Sequence, residues 1–205
     1  MLDELRVIQM AVERIGGETP ATLDEVLGED SLALVYESVV DFCLDLHPWD
    51  FGRELRQLAR LAEPASGVLG YPYVYALPSD AIGDPLRIVG DIALPELPFH
   101  GWTRHGRFLL ASQEPLYGVI CVRPTPARWT GAFREAVVLA LAAEFALSMA
   151  SNESLRDGLR KDAYGTPSEA FRGGVMGAAI RAQAHRSPAK RLPTGHNPFS
   201  QAWRG

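Results

Sequence analysis

From Phe133 to Ala150 the chain reads FREAVVLALAAEFALSMA, and apolar side chains fall on nearly every side of a helix drawn through it. A helix with a single apolar stripe can lie on a surface, but one that is apolar all round has to be surrounded. A central, buried helix is therefore expected here, with the rest of the chain wrapped around it. Lipid is excluded as the surrounding medium by length. The longest nearly charge-free run, Ala136 to Ala143, ends at Glu144 and falls short of the roughly 18 to 20 residues a bilayer span needs. Glu144, the one charge inside the segment, asks for an ion pair with an arginine of a neighbouring helix or subunit. At 205 residues, 47% of them hydrophobic, the chain can bury one substantial core, or a core with a small satellite.

Two amphipathic segments precede this helix. Leu2, Leu5, Ile8, Val12 and Ile15 recur at helical spacing until Gly16 and Gly17 end the pattern. A loop with acids gathered at its end, ETPATLDEVLGED, leads to Asp30 or Ser31 as the cap of a second helix. Leu32, Val35, Val39, Phe42 and Leu46 predict its buried face. That helix runs into HPWDF at residues 47–51. Pro48 has no amide hydrogen and pushes His47 out of helical geometry, so the helix should stop there. His47 then sits at the negative end of the helix dipole without needing a metal. Trp49 and Phe51 are large apolar groups suited to plug the seam at the exit. The spacing of His47, Pro48, Trp49 and Phe51 thus predicts a structural joint, and a zinc site there has only Asp45 and Asp50 to draw on.

Beyond residue 53 the texture changes. RELRQLARLA is ambiguous between helix and strand. YPYVYALPSD alternates Tyr71, Tyr73, Tyr75 and Leu77 against Pro72, Val74 and Ala76, which is a strand pattern closed by Pro78. PLRIVGD at 85–91 predicts another strand, WTRHGRFLLA at 102–111 a hairpin around His105 and Gly106, and PLYGVICV at 115–122 a further strand. A β module of about five strands is expected between helical pieces. After the central helix, residues 152–164 predict another, and Thr166, Pro167 and Glu169 read as cap, first turn and capping-box acid of a last one over 167–184. Gly173, Gly174 and Gly177 weaken it.

The net charge of −5 hides a division. All 25 acids lie at or before Glu169, whereas six of the 20 bases follow it. From 185 onward the chain is rich in proline and base and has no hydrophobic period, so an extended tail is expected. It nevertheless carries Phe199 and Trp203, and apolar anchors among basic residues suit a docking peptide; a solvated tail or a nucleic-acid-binding arm are the other readings.

Reactive chemistry is sparse. The sequence holds no GxxxxGK[ST], no GxGxxG opening a helix after a strand, no GxSxG and no HExxH. His100 and His105 flank Trp102 without a nearby cysteine or carboxylate pair. Cys43 and Cys121 sit in apolar neighbourhoods far apart and read as buried thiols. The start, MLDELRVIQM, places Asp3 and Glu4 where a secretory leader carries positive charge, which predicts synthesis in the cytoplasm. No catalytic residue, metal or cofactor is expected.

The order of segments resembles the head-to-tail adaptor, or tail tubular protein A-like, family of tailed bacteriophages and phage-derived gene transfer particles. The likeness rests on VIQMAVERIGGETPATLDE, VYESVVDFCLDLHPWDF, YPYVYALPSD, GRFLLASQEPLYGVICV and FREAVVLALAAEFALSMASNESLRDGL, spread over most of residues 7–160. The family's last helix runs on without a break, where YGTPSE interrupts it here. The resemblance implies an α+β fold: helices of a bundle at 1–52 and 125–184, a β-rich insertion at 53–124, and a basic docking tail at 185–205. It further implies no enzyme but a ring of twelve copies in the neck of a virion or phage-like particle, assembled in the cytoplasm of a bacterial host. The ring would lie between the portal protein and the stopper or tail protein, around a channel through which DNA passes without sequence-specific contact, and away from any membrane. Arg186, Lys190, Arg191, Phe199, Trp203 and Arg204 are then the expected portal contacts. The alternative is a nucleic-acid-binding protein that uses the same basic tail.

Overall fold

A computed structural model describes residues 3–22, 30–62 and 70–186. The fold is α+β: a helical bundle with two small antiparallel sheets inserted between its second and third helices. Helix α1 (Glu4–Arg14) starts where the Asp3 carboxylate accepts from the Arg6 amide, 2.9 Å, and stops at Gly16, whose φ of +71° few other residues adopt. Helix α2 (Asp30–Asp45) follows; its expected capping side chains, Asp30 and Ser31, and Leu32 of its expected face lie outside the described residues.

The face that α2 buries is not the expected one. Tyr36, Val40, Cys43 and Leu44 are buried, while Val35, Val39 and Leu46 are half-buried and Phe42 is exposed. Apolar residues occur on both stripes, so periodicity alone could not choose between them; packing against the central helix did.

The ambiguous stretch after the joint is extended. It forms β1 (Arg53–Gln57) and β2 (Ala59–Arg60), separated at Leu58, whose side chain is buried while Leu55 stays exposed. Then come β3 (Tyr73–Ala76), β4 (Ala81–Val89), β5 (Trp102–His105), β6 (Phe108–Ala111) and β7 (Tyr117–Val122). Among the described residues seven strands, where about five are expected, make two sheets ordered β1-β7-β4 and β2-β3-β6-β5. Strand β4 begins earlier than the sequence pattern suggests because a bulge between Ile82 and Arg87 absorbs Gly83 and Pro85. The β5–β6 hairpin pairs His105 with Phe108, leaving Gly106 at φ +61° in the first loop position, where a type II′ turn needs it. Tyr75 lies in the sheet core with Leu58, Ile88, Leu109 and Leu116, its hydroxyl donating to the Gln113 carbonyl at 2.9 Å.

Helix α3 (Gly131–Ser148) is the central element. It is capped by Thr130, whose hydroxyl accepts from the Phe133 amide, and its unbroken buried run from Ala136 to Ala143 confirms burial on all sides. Helices α4 (Glu153–Tyr164) and α5 (Gly174–Arg186) complete the bundle. An unbroken helix over 167–184 does not form. Pro167–Glu169 is one 3-10 turn, after which Ala170 (φ 50°) and Phe171 (φ 62°) turn left-handed and stop it. The expected capping box is present on that turn, since the Glu169 carboxylate accepts from the Thr166 amide at 2.7 Å and its hydroxyl at 2.8 Å. The glycines are close-approach positions rather than weak points: a Cβ on Gly174 would stand 2.3 Å from the Asp162 carbonyl of α4. Arg186, expected in the extended tail, is the last residue of α5; the tail beyond it, 187–205, lies outside the described residues. No described helix is long and apolar enough to cross a membrane.

Phe133, fully buried at the start of α3, meets Trp49, Phe51 and Trp129 with ring centroids 4.7, 5.0 and 5.2 Å away. Phe133→Ala should cost about 3–5 kcal/mol in equilibrium urea unfolding. Leu55→Ala, exposed on β1, should stay within about 0.5 kcal/mol of wild type.

Candidate interaction surface

The HPWDF segment is pinned from two sides. Trp49 is buried, and its indole N–H donates to the Cys43 carbonyl at 3.0 Å, satisfying an end of α2 that Pro48 leaves open. Its ring stacks on Phe51, with centroids 5.6 Å apart and 17° between planes. The Pro48 carbonyl accepts from Arg53 Nε at 3.0 Å and Nη2 at 2.5 Å, and Arg53 Nη1 also pairs with Asp50 at 2.9 Å. From the other side comes Gln183 of α5, the one buried polar side chain among the described residues. Its Oε1 accepts from the Asp50 amide at 3.2 Å, while its Nε2 faces the Pro48 carbonyl at 3.1 Å and His47 Nε2 at 3.0 Å.

Those partners assign the histidine's state. Oε1 must be the acceptor, because the Asp50 amide can only donate; Nε2 is then the amide nitrogen, and His47 Nε2 has to accept from it. His47 is thus neutral, with its proton on Nδ1. Burial, then the nearby Arg53 and Arg172 charges, push its pKa below the ordinary 6.5, against a smaller opposing pull from Asp50. The residue serves the bond to α5 rather than the dipole of α2.

A second feature lies where α2, α4 and the turn before α5 meet. Phe42 of α2, Tyr164 of α4 and Phe171 of the left-handed turn form a triangle of edge-to-face contacts at 5.6, 5.5 and 5.8 Å. They floor an open groove of about 490 Å³ whose walls are Leu34, Val35 and Val39 on one side and Glu144 and Arg160 on the other. Leu34 is 65% exposed, and Phe42, Phe171, Leu147 and Met149 also stand in solvent. The Arg160 guanidinium lies 5.7 Å over the Phe171 ring. A neighbouring hollow, which shares Arg160, Tyr164 and Phe171, adds Arg156 and Lys161 to that rim. Glu144 forms no ion pair within the described residues, although an arginine partner is expected for it; half-buried on the wall, it stays near enough to water to remain solvated.

Cys43, behind the floor, is held 3.4 Å from the Tyr164 hydroxyl, and burial pushes its thiol up to about 12. Cys121, expected to be buried, is only half so. No three His, Cys, Asp or Glu side chains among the described residues converge as a metal site. Of the expected portal contacts only Arg186 is described, near Asp50, Phe51 and Thr130; Lys190, Arg191, Phe199, Trp203 and Arg204 lie outside the described residues. Sequence reasoning missed both Gln183 and the groove. Phe171, a large apolar residue two positions before a pair of glycines, was the available signal.

No protein-family model matches the chain, and no curated protein matches it.

The neutral His47 has a consequence for stability. Its folded pKa lies below 6.5, so the unfolded chain binds the proton more readily, and stability is complete above that value and declines as pH falls through it. Urea unfolding from about pH 7 to 5 should show this decline, and His47→Phe should flatten it. Gln183→Leu, which removes the bonds from α5 to the Asp50 amide, the Pro48 carbonyl and His47, should cost about 1–3 kcal/mol at pH 7. Ala170→Gly should instead stabilise by about 1 kcal/mol, since glycine relieves the left-handed conformation.

Proposed function

We propose that this chain is a structural head-to-tail connector, which works by shape and contact and has no substrate to turn over. In this reading twelve copies form a ring in the neck of a phage or gene transfer particle, between the portal and the stopper or tail proteins, with DNA passing through the centre. The observation that carries it is the exposed groove at Phe42, Tyr164 and Phe171. A broad, open, mostly apolar hollow with aromatic anchors and a charged rim has the character of a protein contact, whereas a small-molecule site encloses its ligand around a few convergent polar groups. The resemblance of residues 7–160 to the adaptor family supports the same reading.

The charge division gives the ends different tasks. An acidic body lets DNA slide, and a basic tail bearing Phe199 and Trp203 docks on the portal. Gln183 ties α5 to the joint three residues before Arg186, so the tail leaves from a fixed point. A chain ended at Arg186 should therefore keep its thermal midpoint yet fail to join filled heads to tails; normal particles from that truncation would defeat the docking claim. An image of the neck with density assigned to this chain tests the connector itself.

The basic end also favours a second reading, nucleic-acid binding. It requires tight duplex binding that collapses between low and moderate salt in a filter assay, with the truncated chain losing it.

A further inference from the structure

The last turn of α5 is held more by hydrogen bonds than by apolar contact. Met176, Gly177 and Ala179 bury the first half of the helix, and Ile180 is half-buried against the core. Beyond Ile180 the one buried side chain among the described residues of α5 is Gln183; Ala182 is half-buried, and Ala184, His185 and Arg186 stand in solvent. Apolar burial carries no charge and responds little to pH. The end of α5 hangs instead on a single side-chain amide. Its Oε1 accepts from the Asp50 amide, and its two N–H groups reach the Pro48 carbonyl and His47 Nε2.

That set of bonds is complete only while His47 Nε2 carries no proton. Protonation turns this acceptor into a donor aimed at the Gln183 amide nitrogen, 3.0 Å away. Turning the amide over does not restore the set. Its oxygen then meets His47 but also the Pro48 carbonyl, and its nitrogen meets the Asp50 amide, donor against donor. The charges around the ring act in the same direction. Arg53 of β1 and Arg172 of the turn before α5 repel an imidazolium, and Asp50, which opposes them, is already paired with Arg53 at 2.9 Å. Arg186 of α5 lines the hollow next to Asp50 and Gln183. The ring is half-buried, so a proton reaches it from water without unfolding. We propose that His47 and Gln183 form a proton-operated latch, which on acidification frees the last turn of α5, and the point from which residues 187–205 depart, while the α3 core stays closed. The released histidine binds its proton at the ordinary 6.5 and the latched one only below that. The latch is therefore shut above this value and loosens as pH falls through it. It belongs to the isolated chain, whatever that chain assembles with.

The test is made by NMR on the full-length chain. Nitrogen spectra of the His47 ring at about pH 7 should place its proton on Nδ1 and leave Nε2 bare. Amide hydrogen exchange, corrected for its intrinsic pH dependence, should then show the Asp50, Gln183 and Arg186 amides opening about threefold to tenfold more at about pH 5 than at about pH 7. The amides of Ala136–Ala143 should keep their protection over the same interval. Gln183→Glu reverses the sign. Its carboxylate accepts from the Asp50 amide and from a protonated His47, which raises the histidine's pKa above the ordinary value, so the end of α5 becomes better protected as the solution is acidified. A glutamine that merely packs gives no such reversal. A His47 carrying its proton on Nε2 at neutral pH overturns the latch before any variant is made. So does equal opening at both pH values, loss of protection in α3 in step with α5, or a Gln183→Glu chain that loosens on acidification as the wild type does.

Discussion

The obligation to bury α3 on every side governs the rest of the structure. A helix whose Ala136–Ala143 run is wholly buried cannot be satisfied by one neighbour. Here α1, α2, α4 and α5 all contact it, and at its first turn Trp49, Phe51 and Trp129 close over Phe133. The many alanines of α3 let these neighbours approach closely, so the bundle is held by small-residue contact along the axis and by large rings at the end. Breaking the chain after α2 and again before α3 puts those rings where they are needed. The HPWDF and PARWT segments each carry part or all of a 3-10 turn, Asp50–Gly52 and Pro126–Arg128, and their aromatic residues face inward because the start of the helix has no other cover.

The cover is uneven along the axis. At its beginning α3 is sealed by the aromatic joint, with Gln183 locking α5 across it. Toward its end Leu147 and Met149 emerge into solvent beside the groove. The chain between α4 and α5 could have shielded this region, but it folds back instead. The Gly173 amide donates to the Tyr164 carbonyl at 2.9 Å, and two consecutive non-glycine residues take left-handed conformations to hold Phe171 over Phe42. Such conformations cost of order 1–3 kcal/mol each and persist where the surroundings impose them. The turn spends that energy on exposing an aromatic ring, which is the reverse of what a stability-driven turn would do.

How much of this is legible in the sequence depends on whether the signal is local. The central helix, the β5–β6 hairpin and the stop at Pro48 are written in contiguous residues, and each forms. The buried stripe of α2 is misread because Val35, Val39 and Phe42 are as apolar as Tyr36, Val40 and Cys43; only the position of α3 decides between them. The strands β1 and β2 are hidden by leucines spaced at three, and their separation at Leu58 follows from where β7 lies. The groove is assembled from α2, α3, α4 and an irregular turn, so no window of sequence contains it. Gln183 is invisible for the same reason, being one glutamine whose partners lie more than a hundred residues earlier.

Arg186 and the groove lie at different levels along one rigid element. Arg186, where the described chain stops, stands near Thr130 and Gly131 at the start of α3, and the groove borders Glu144, about 20 Å further along the helix axis. The spacing between them is fixed, because close-packed interiors transmit displacement with little compliance. The buried helix is then a spacer as well as a core, and its complete burial is what makes the spacing firm.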